Sequence, residues 1–180
     1  MRRYFGTDGV RGVFGADLTV ELVEQLGKAA TLWSGRGRVF VGRDTRGSGP
    51  SSRRRSLAAL LPRADNAVLA GVLPTPAVAL LALDLGVVIT ASHNPPEYNG
   101  VKFFDSDGQQ AHGRLRGGDR GAPRRSAQRG GGSIDRVTVA EDSYLEHVVE
   151  RFRHRPQSGC GSRSTARTAR TRRIAPEAFE

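Results

Sequence analysis

Two glycine-containing loops in the first third of the chain have residue types suited to binding an anion. Residues 5–12 read Phe-Gly-Thr-Asp-Gly-Val-Arg-Gly, where the glycines permit tight backbone geometry and Arg11 offers a planar donor fork for phosphate. A glycine turn with a surface arginine is the simpler alternative. Residues 42–49 follow a predicted strand but lack P-loop spacing, so we expect Asp44 to form a structural ion pair with a flanking arginine.

A third polar loop, residues 90–100, contains the best candidate for a nucleophile. Ser92 comes directly after a buried, β-branched strand, where its hydroxyl would be presented as a nucleophile or phosphate carrier. His93 could bind a phosphate or a sugar hydroxyl, but neighbouring side chains on an extended chain point to opposite faces, which predicts a poor general base for Ser92. Lys102, on the next strand, is a better-placed cation. A turn organised by Ser and Asn side chains before proline is the open alternative.

Helices and strands alternate around these loops, and the pattern predicts an α/β fold. Apolar residues recur at helical spacing between residues 18 and 33, and Thr19 is the predicted N-cap of this first helix. A second helix is predicted with Thr75 as its N-cap, proline at its first position and Gly86 as its C-cap. β-forming or apolar runs and a last helical face complete the pattern, at 38–41, 67–73, 87–90, 101–104 and 144–152.

The net charge of +10 is concentrated in three arginine-rich patches. Residues 51–66, 110–131 and 160–173 hold fifteen arginines and two aspartates, whereas the rest of the chain sums to −3. The patches have no aromatic residues for base stacking, no zinc-ligand spacing and no helix-turn-helix pattern, which argues against a nucleic-acid binder. Of 28 basic residues 26 are arginine, a bias that points to GC-rich coding.

Export and membrane insertion are not indicated by the sequence. The longest apolar stretch, residues 77–90, is interrupted by Asp84 and Gly86 and is too short to span a bilayer. The first residues lack the apolar core of a secretory signal, and Cys160 is the only cysteine. We therefore expect a soluble cytoplasmic protein.

Four segments in this order resemble the N-terminal domain of the α-D-phosphohexomutases: residues 5–12, Gly-Arg-Asp-Thr-Arg at 42–46, Gly-Val-Leu-Pro-Thr-Pro at 71–76 and Thr-Ala-Ser-His-Asn-Pro at 90–95. Residues 1–12 are similar specifically to the phosphoglucosamine mutase branch of this family. The clear resemblance covers 1–50, 67–109 and 132–153, with a trace at 174–180. It implies a three-layer domain over residues 1–155, with a mixed sheet between helices, and a fragment of a second domain over 156–180.

The resemblance also implies a reaction. Ser92 would carry a phosphoryl group, give it to glucosamine 6-phosphate and recover one from the resulting bisphosphate, leaving glucosamine 1-phosphate for UDP-N-acetylglucosamine and cell-wall precursors. Mg²⁺ would bind partly through the Ser92 phosphate. Lys102 would be a proton shuttle or charge stabiliser, His93 a further catalytic residue that contacts phosphate, and Arg11 and Asn94 phosphate-binding residues.

Other family elements do not occur in the 180 residues. The three-aspartate metal loop, the sugar-specificity loop and the terminal phosphate-binding loop are absent from this sequence. We therefore expect this chain alone not to turn over substrate. Specificity for mannose or glucose phosphates (phosphomannomutase or phosphoglucomutase) stays open, as do a non-catalytic truncated mutase and an arginine-rich nucleic-acid binder.

The three arginine-rich patches fall where the family resemblance is interrupted. Read with GC-rich codons in a shifted frame, residues 51–56 and 115–126 encode helical segments, and residues 160–170 encode Arg-Ile-Ala-Val-Asp-Cys-Ala-Asn-Gly-Ala, similar to the opening strand of the second domain. We interpret the patches as stretches of the gene read in the wrong frame.

Overall fold

A computed structural model describes residues 5–6, 9–35, 38–46, 66–111 and 133–152. Within these ranges the chain forms seven strands of one sheet and three helices. In chain order they are β1 (Phe5–Gly6), β2 (Gly9–Val13), α1 (Val20–Trp33), β3 (Arg38–Arg43), β4 (Asn66–Val72), α2 (Thr75–Leu80), β5 (Leu85–Ile89), β6 (Tyr98–Phe104), β7 (Ser133–Arg136) and α3 (Ala140–Phe152).

The sheet is mixed, with the spatial order β1-β2-β6-β5-β3-β4-β7. Strands β5, β3, β4 and β7 run parallel to one another. Strands β6, β2 and β1 extend the sheet by antiparallel pairing. The carboxyl ends of β3 and β5 therefore lie side by side at one edge, where open α/β sheets place their ligands.

Helices cover both faces of the sheet, because alternate residues of each strand point to opposite sides. On one face, Val23 and Ala30 of α1 pack in a core with Val39, Val87 and Phe103. We call this the α1 face. The other, the α2/α3 face, buries the following apolar side chains: Phe40, Ala70, Leu73, Ala77, Val78, Val88, Phe104 and Ala140. The expected three-layer arrangement with a mixed sheet is confirmed.

Helix α1 begins and ends at hydrogen-bonding side chains. The Thr19 hydroxyl accepts from the backbone N–H of Leu22 at 3.2 Å, which confirms Thr19 as N-cap. At the other end, the N–H of Ser34 donates to the carbonyl of Ala30 and its hydroxyl donates to that of Thr31. The apolar periodicity from 18 to 33 thus gives a helix with both ends satisfied.

The second helix is shorter than its sequence pattern predicts. It spans Thr75–Leu80, with Pro74 rather than Thr75 at the N-cap position. The prediction that it runs on to Gly86 as C-cap is wrong, because Leu85 and Gly86 belong to β5 and pair with β3. A Cβ on Gly86 would lie 2.9 Å from Cβ of Ala82, so this glycine allows the chain before β5 to approach the strand.

The sequence pattern also misses strands. It predicts a loop at residues 5–12, yet β1 and most of β2 lie there, and β2 pairs with β6. Strand β6 begins at Tyr98, three residues before the predicted start. Strand β7, at the far edge of the sheet, has no counterpart among the predicted strands. Strands β1 and β7 are short and β2 contains two glycines, and β2 and β7 pair with strands that are distant in sequence.

Several predictions fall on residues that the structure does not describe. Of the three arginine-rich patches, only Asn66, Gln110 and Ala111 lie in the described ranges, so the frame-shift interpretation stays a prediction. The boundary at 155/156 and the second-domain fragment 156–180 lie outside the described residues as well. Among the helices that are described, none has both the length and the apolarity needed to cross a bilayer.

Candidate active site

Ser92 occupies a strained turn just after β5. The carbonyl of Ala91 accepts from the N–H of Asn94 at 3.1 Å, so these residues close a β-turn with Ser92 at its second position. The φ of Ser92 is +58°, in the left-handed region, which makes the turn one of the mirror-image types that usually need Gly or Asn. A serine held in this region costs backbone energy, a feature that clusters at functional sites.

His93 lies beside Ser92, contrary to the prediction from extended geometry. The Ser92 Oγ and His93 Nδ1 atoms are 3.5 Å apart, at the outer limit of a hydrogen bond. The expected alternation of the two side chains is wrong, because the left-handed conformation of Ser92 turns the chain. That His93 is a poor general base for Ser92 stays a prediction. The His93 side chain is exposed and Ser92 is half-buried, so both are open to a ligand from solvent.

Arg11 and Lys102 lie on the α2/α3 face of the sheet. In the strand pairings Arg11 is opposite Gly100, and Lys102 is opposite Val88 of that face's core. Since paired residues share a face, both cationic side chains leave the sheet on the same side. Both are half-buried. The structure thus brings the predicted phosphate-binding Arg11 and the predicted proton shuttle or charge stabiliser Lys102 to one face, on adjacent strands.

Gly100 allows Arg11 to extend across β6. A Cβ on Gly100 would lie 3.0 Å from Cγ of Arg11 and 2.7 Å from the carbonyl oxygens of Val10 and Thr90. Any larger residue would push against two backbones and against the arginine stem. Gly100 is therefore required by the close approach of β2, β6 and the residue after β5, and it leaves space for the stem of Arg11.

Asp44, at the carboxyl end of β3, forms the expected ion pair with Arg46. Their Oδ2 and Nε atoms are 3.0 Å apart, and the side chains are only 5% and 11% exposed. The N–H of Asp44 donates to the carbonyl of Ile89 at 3.0 Å, which fixes it beside the end of β5. A desolvated pair interacts more strongly than a surface pair, provided that its hydrogen bonds are complete.

The described residues do not form a complete Mg²⁺ site. They contain no group of three or more His, Cys, Asp or Glu side chains arranged to hold a metal ion. Asp44, at the neighbouring strand end, is committed to Arg46. Mg²⁺ prefers six oxygen ligands in octahedral geometry, and Ser92 could supply one through a phosphate. Among the described residues, phosphorylated Ser92 thus fits one ligand position of Mg²⁺. The other ligands would have to come from outside the described residues.

Sequence reasoning did not assign Thr90 a role, although it belongs to the same network. Its hydroxyl donates to Oδ2 of Asp44 at 2.7 Å, and Thr90 is fully buried. A hydroxyl at the end of a β-branched run, where the chain turns polar, is the signal that could have identified it. Asn94, also predicted at the phosphate, is half-buried in the Ser92 turn.

Comparison with known proteins places the chain in a family. Residues 2–115 match the model described as phosphoglucomutase/phosphomannomutase, alpha/beta/alpha domain I. The phosphoglucosamine mutase of Thermotoga petrophila is 57% identical over 105 residues, covering 57% of this chain and 24% of the relative. That of Thermotoga neapolitana is 40% identical over 188 residues, covering 99% and 42%.

Solved structures agree with this placement. A putative phosphomannomutase from Thermus thermophilus matches with a TM-score of 0.64 at 31% identity, covering 84% of this chain and 36% of that one. A phosphoglucomutase/phosphomannomutase family protein from Burkholderia thailandensis matches at 0.62 and 26%, covering 83% and 36%. The chain thus spans less than half the length of these relatives. Because the family model matches more than half of the chain, this protein belongs to the phosphoglucomutase/phosphomannomutase family and carries its α/β/α domain I.

Proposed function

We propose that this chain provides the phosphoserine domain of a phosphoglucosamine mutase, with Ser92 as the residue that carries the phosphoryl group. The observation that carries the proposal is the left-handed Ser92 in a tight turn at the carboxyl end of β5. The names of the relatives matched over 57% to 99% of the chain support glucosamine phosphate as the substrate.

The reaction divides into two transfers that share Ser92. Phosphorylated Ser92 gives its phosphoryl group to glucosamine 6-phosphate: the Oγ–P bond breaks and a sugar O–P bond forms. The sugar hydroxyl loses its proton, which ends on Oγ. In the second transfer the bisphosphate returns its 6-phosphoryl group to Oγ, the proton moves back to the sugar oxygen, and glucosamine 1-phosphate leaves. A covalent carrier makes the 1,6 exchange possible without a second enzyme.

Cationic side chains on the α2/α3 face would stabilise the transferring phosphoryl group. Lys102 and Arg11 leave the sheet on the same side, and charge on the equatorial phosphate oxygens is what such groups stabilise. Lys102 is also the candidate proton shuttle. His93 and Asn94, in the Ser92 turn, would contact the phosphate that Ser92 carries.

Mg²⁺ is the cofactor that the family resemblance implies. An oxygen of the Ser92 phosphate would be one ligand, and the others would come from outside the described residues. When bound, the ion supplies charge neutralisation at the transferring group. We place the protein in the cytoplasm, as a soluble enzyme of amino-sugar metabolism that supplies the UDP-N-acetylglucosamine and peptidoglycan precursor pathway.

A phosphomannomutase function is the second candidate. It is favoured by the likeness to the putative phosphomannomutase of Thermus thermophilus, which is 31% identical to this chain. The chemistry at Ser92 would be the same, with a different sugar presented to it.

A single-transfer experiment tests the proposal. The purified chain is incubated with glucosamine 1,6-bisphosphate and Mg²⁺, and the phosphate is located by mass spectrometry of peptides. We expect phosphate on Ser92, none anywhere in Ser92→Ala, and an unchanged result in Ser106→Ala, a variant of an exposed serine outside the Ser92 turn. One event per molecule suffices, so the test does not require turnover.

The same experiment distinguishes the alternatives. Faster transfer from mannose 1,6-bisphosphate than from the glucosamine compound would favour the phosphomannomutase. If Ser92 accepts phosphate from neither donor, nor from glucose 1,6-bisphosphate, the carrier function is contradicted. The remaining alternative is then a non-catalytic truncated mutase.

A further inference from the structure

Ser92 holds a backbone conformation that its own residue type disfavours. For residues other than glycine the left-handed region is costly, so such a residue persists only where its surroundings determine it. Two peptide groups set the orientation of a residue, the one that contains its N–H and the one that contains its C=O. Both of these groups at Ser92 are hydrogen-bonded to side chains.

The first contact holds the N–H of Ser92. It donates to Oγ1 of Thr90 at 3.0 Å. The second holds its carbonyl oxygen, which accepts from Nη2 of Arg46 at 2.7 Å. One contact comes from the same loop and the other from the loop after β3, 46 residues earlier. The left-handed turn is therefore held on both sides of its central residue.

Both contacts lead to one carboxylate. The Thr90 hydroxyl donates to Oδ2 of Asp44, and Nε of Arg46 donates to the same oxygen. The backbone N–H of Arg46 donates to Oδ1 at 2.9 Å. Asp44 is only 4% exposed, so water competes little for these bonds. A single buried side chain thus orients the two groups that hold Ser92.

The guanidinium of Arg46 extends the connection along the loop. Its Nη1 atom donates to the carbonyl oxygens of Pro95 and Tyr98, the latter at 3.3 Å. One planar side chain therefore joins Asp44, the Ser92 turn and the start of β6. A lysine has the charge but not the fixed fork of donors that these partners require.

We propose that Asp44, Thr90 and Arg46 are positioning residues for phosphoryl transfer, which fix the direction of the Ser92 hydroxyl. We name these three residues the Asp44 clamp. The proposal rests on the proposed function of Ser92 as a phosphate carrier. It assigns the Gly-Arg-Asp-Thr-Arg segment to alignment of the nucleophile rather than to phosphate binding, because its carboxylate and Arg46 are directed at the serine loop.

A second Asp–Arg ion pair joins β3 and β5 at the ends opposite to the Asp44 clamp. Asp84, before β5, accepts from the N–H of Arg38 at 2.7 Å and from its Nε at 3.3 Å. This pair is more exposed, and it lies at the end of the strands away from the Ser92 loop. Asp84→Asn therefore controls for the loss of an Asp–Arg pair between β3 and β5 without loss of the clamp.

The first arm of the test measures conformation and needs no activity. The full chain is labelled for NMR, and the intraresidue amide–Hα NOE of Ser92 is recorded together with the amide exchange of Ser92, Asn94 and Tyr98, whose N–H groups are hydrogen-bonded in this loop. We expect Thr90→Val and Arg46→Lys to weaken this NOE, which is strong in a left-handed residue, and to raise exchange by about tenfold. Thr90→Ser, which keeps the hydroxyl, should restore the normal pattern, and Asp84→Asn should not change it.

The second arm measures transfer to Ser92 from glucosamine 1,6-bisphosphate at saturating and at low donor concentration. Misalignment of a nucleophile costs roughly 10²-fold in rate, so we expect that loss in Thr90→Val and Arg46→Lys at saturation. The donor concentration for half-maximal rate should change little, because the clamp does not bind donor. Thr90→Ser should recover most of the rate.

The outcomes separate the two proposals. If the wild-type chain takes no phosphate, the proposed function fails, while the first arm still decides whether the clamp holds the turn. Unchanged NOE and exchange in both Thr90→Val and Arg46→Lys would overturn the clamp. So would a rate loss in Thr90→Val that Thr90→Ser shares, since the hydroxyl would then not be the cause. The test uses Thr90 and Arg46 rather than Asp44, because loss of a buried carboxylate can unfold the chain.

Discussion

The two faces of the sheet differ in the side chains that they bury. On the α1 face a 14-residue helix covers a core that extends from Val10 of β2 to Ala67 of β4. On the α2/α3 face, α2 has six residues and α3 has 13, and β2 contributes Arg11 instead of an apolar side chain. Among the described residues, the α1 face therefore holds the larger buried apolar core, and the α2/α3 face carries the cations of the site.

Strand β6 shows the contrast in two adjacent residues. Lys102 points to the α2/α3 face and is half-buried, whereas Phe103 points to the α1 face and is 2% exposed. Substitutions at these neighbours should therefore separate chemistry from stability.

The largest effect is expected for Lys102→Met, which keeps the length of the side chain but removes its charge. Loss of a positioned proton shuttle costs about 10²–10⁴-fold in rate, so transfer to Ser92 should fall by that factor. The free energy of unfolding should be nearly unchanged. Lys28→Met is the control, because Lys28 is the only other lysine and pairs with Glu24 on the surface of α1. Near-normal transfer by Lys102→Met would assign that lysine to structure.

Phe103→Ala should show the opposite pattern. Truncating a fully buried phenylalanine typically costs about 3–5 kcal/mol of unfolding free energy, measurable by denaturant titration. Under conditions where the variant stays folded, its rate of transfer to Ser92 should be close to that of the wild type. Leu32→Ala, on α1 but 48% exposed, should change stability little. Equal losses of unfolding free energy in Phe103→Ala and Leu32→Ala would refute the assignment of Phe103 to the core of the α1 face.

Thr19→Ala tests how much of the α1 face depends on the start of its helix. Removing the hydroxyl that accepts from the N–H of Leu22 should cost about 1 kcal/mol. The rate of transfer should not change, since α1 lies on the face away from Arg11 and Lys102. A stability loss below the error of denaturant titration would mean that another group satisfies this N–H.

The smallest effect concerns pH. Hydrogen bonds from its own backbone N–H and from the Thr19 hydroxyl lower the pKa of Glu21. A depressed folded-state pKa contributes stability above the unfolded pKa, and that contribution is lost as pH falls through the folded pKa. In Thr19→Ala the pKa of Glu21 should rise toward its ordinary value, as measured by NMR titration of its side chain. If the pKa of Glu21 is the same in Thr19→Ala, the hydrogen bond from its own backbone N–H, and not the Thr19 hydroxyl, is what lowers it.

Most of the fold could be predicted because its signals are local. The periodicity of α1, the Thr19 cap and the apolar runs of β3, β4 and β5 depend on residues within one element. Strand β2 was missed because its glycines suggested a loop. A Cβ on Gly9, whose φ is +113°, would lie 2.4 Å from the carbonyl oxygen of Val101, so this glycine permits contact with a strand that is remote in sequence.

The candidate site was predicted in its residues but not in its geometry. The position of Ser92 after a buried strand follows from sequence. Its left-handed backbone does not, because it depends on Asp44, 46 residues from Thr90. The neighbouring His93 was misplaced for the same reason. Long-range hydrogen bonds of this kind leave no periodic trace in a sequence.

The antiparallel pairing of β5 with β6 has a consequence for the order of folding. The Ser92 loop joins two strands that are neighbours in the sheet, and Ile89 pairs with Val101 only twelve residues later. The Asp44 clamp, in contrast, must close a loop of 46 residues. Because short loops close at a smaller entropic cost, the β5–β6 hairpin can form before β3 docks beside it. The serine would then acquire its strained conformation only when the parallel part of the sheet assembles, which makes a competent nucleophile a late product of folding.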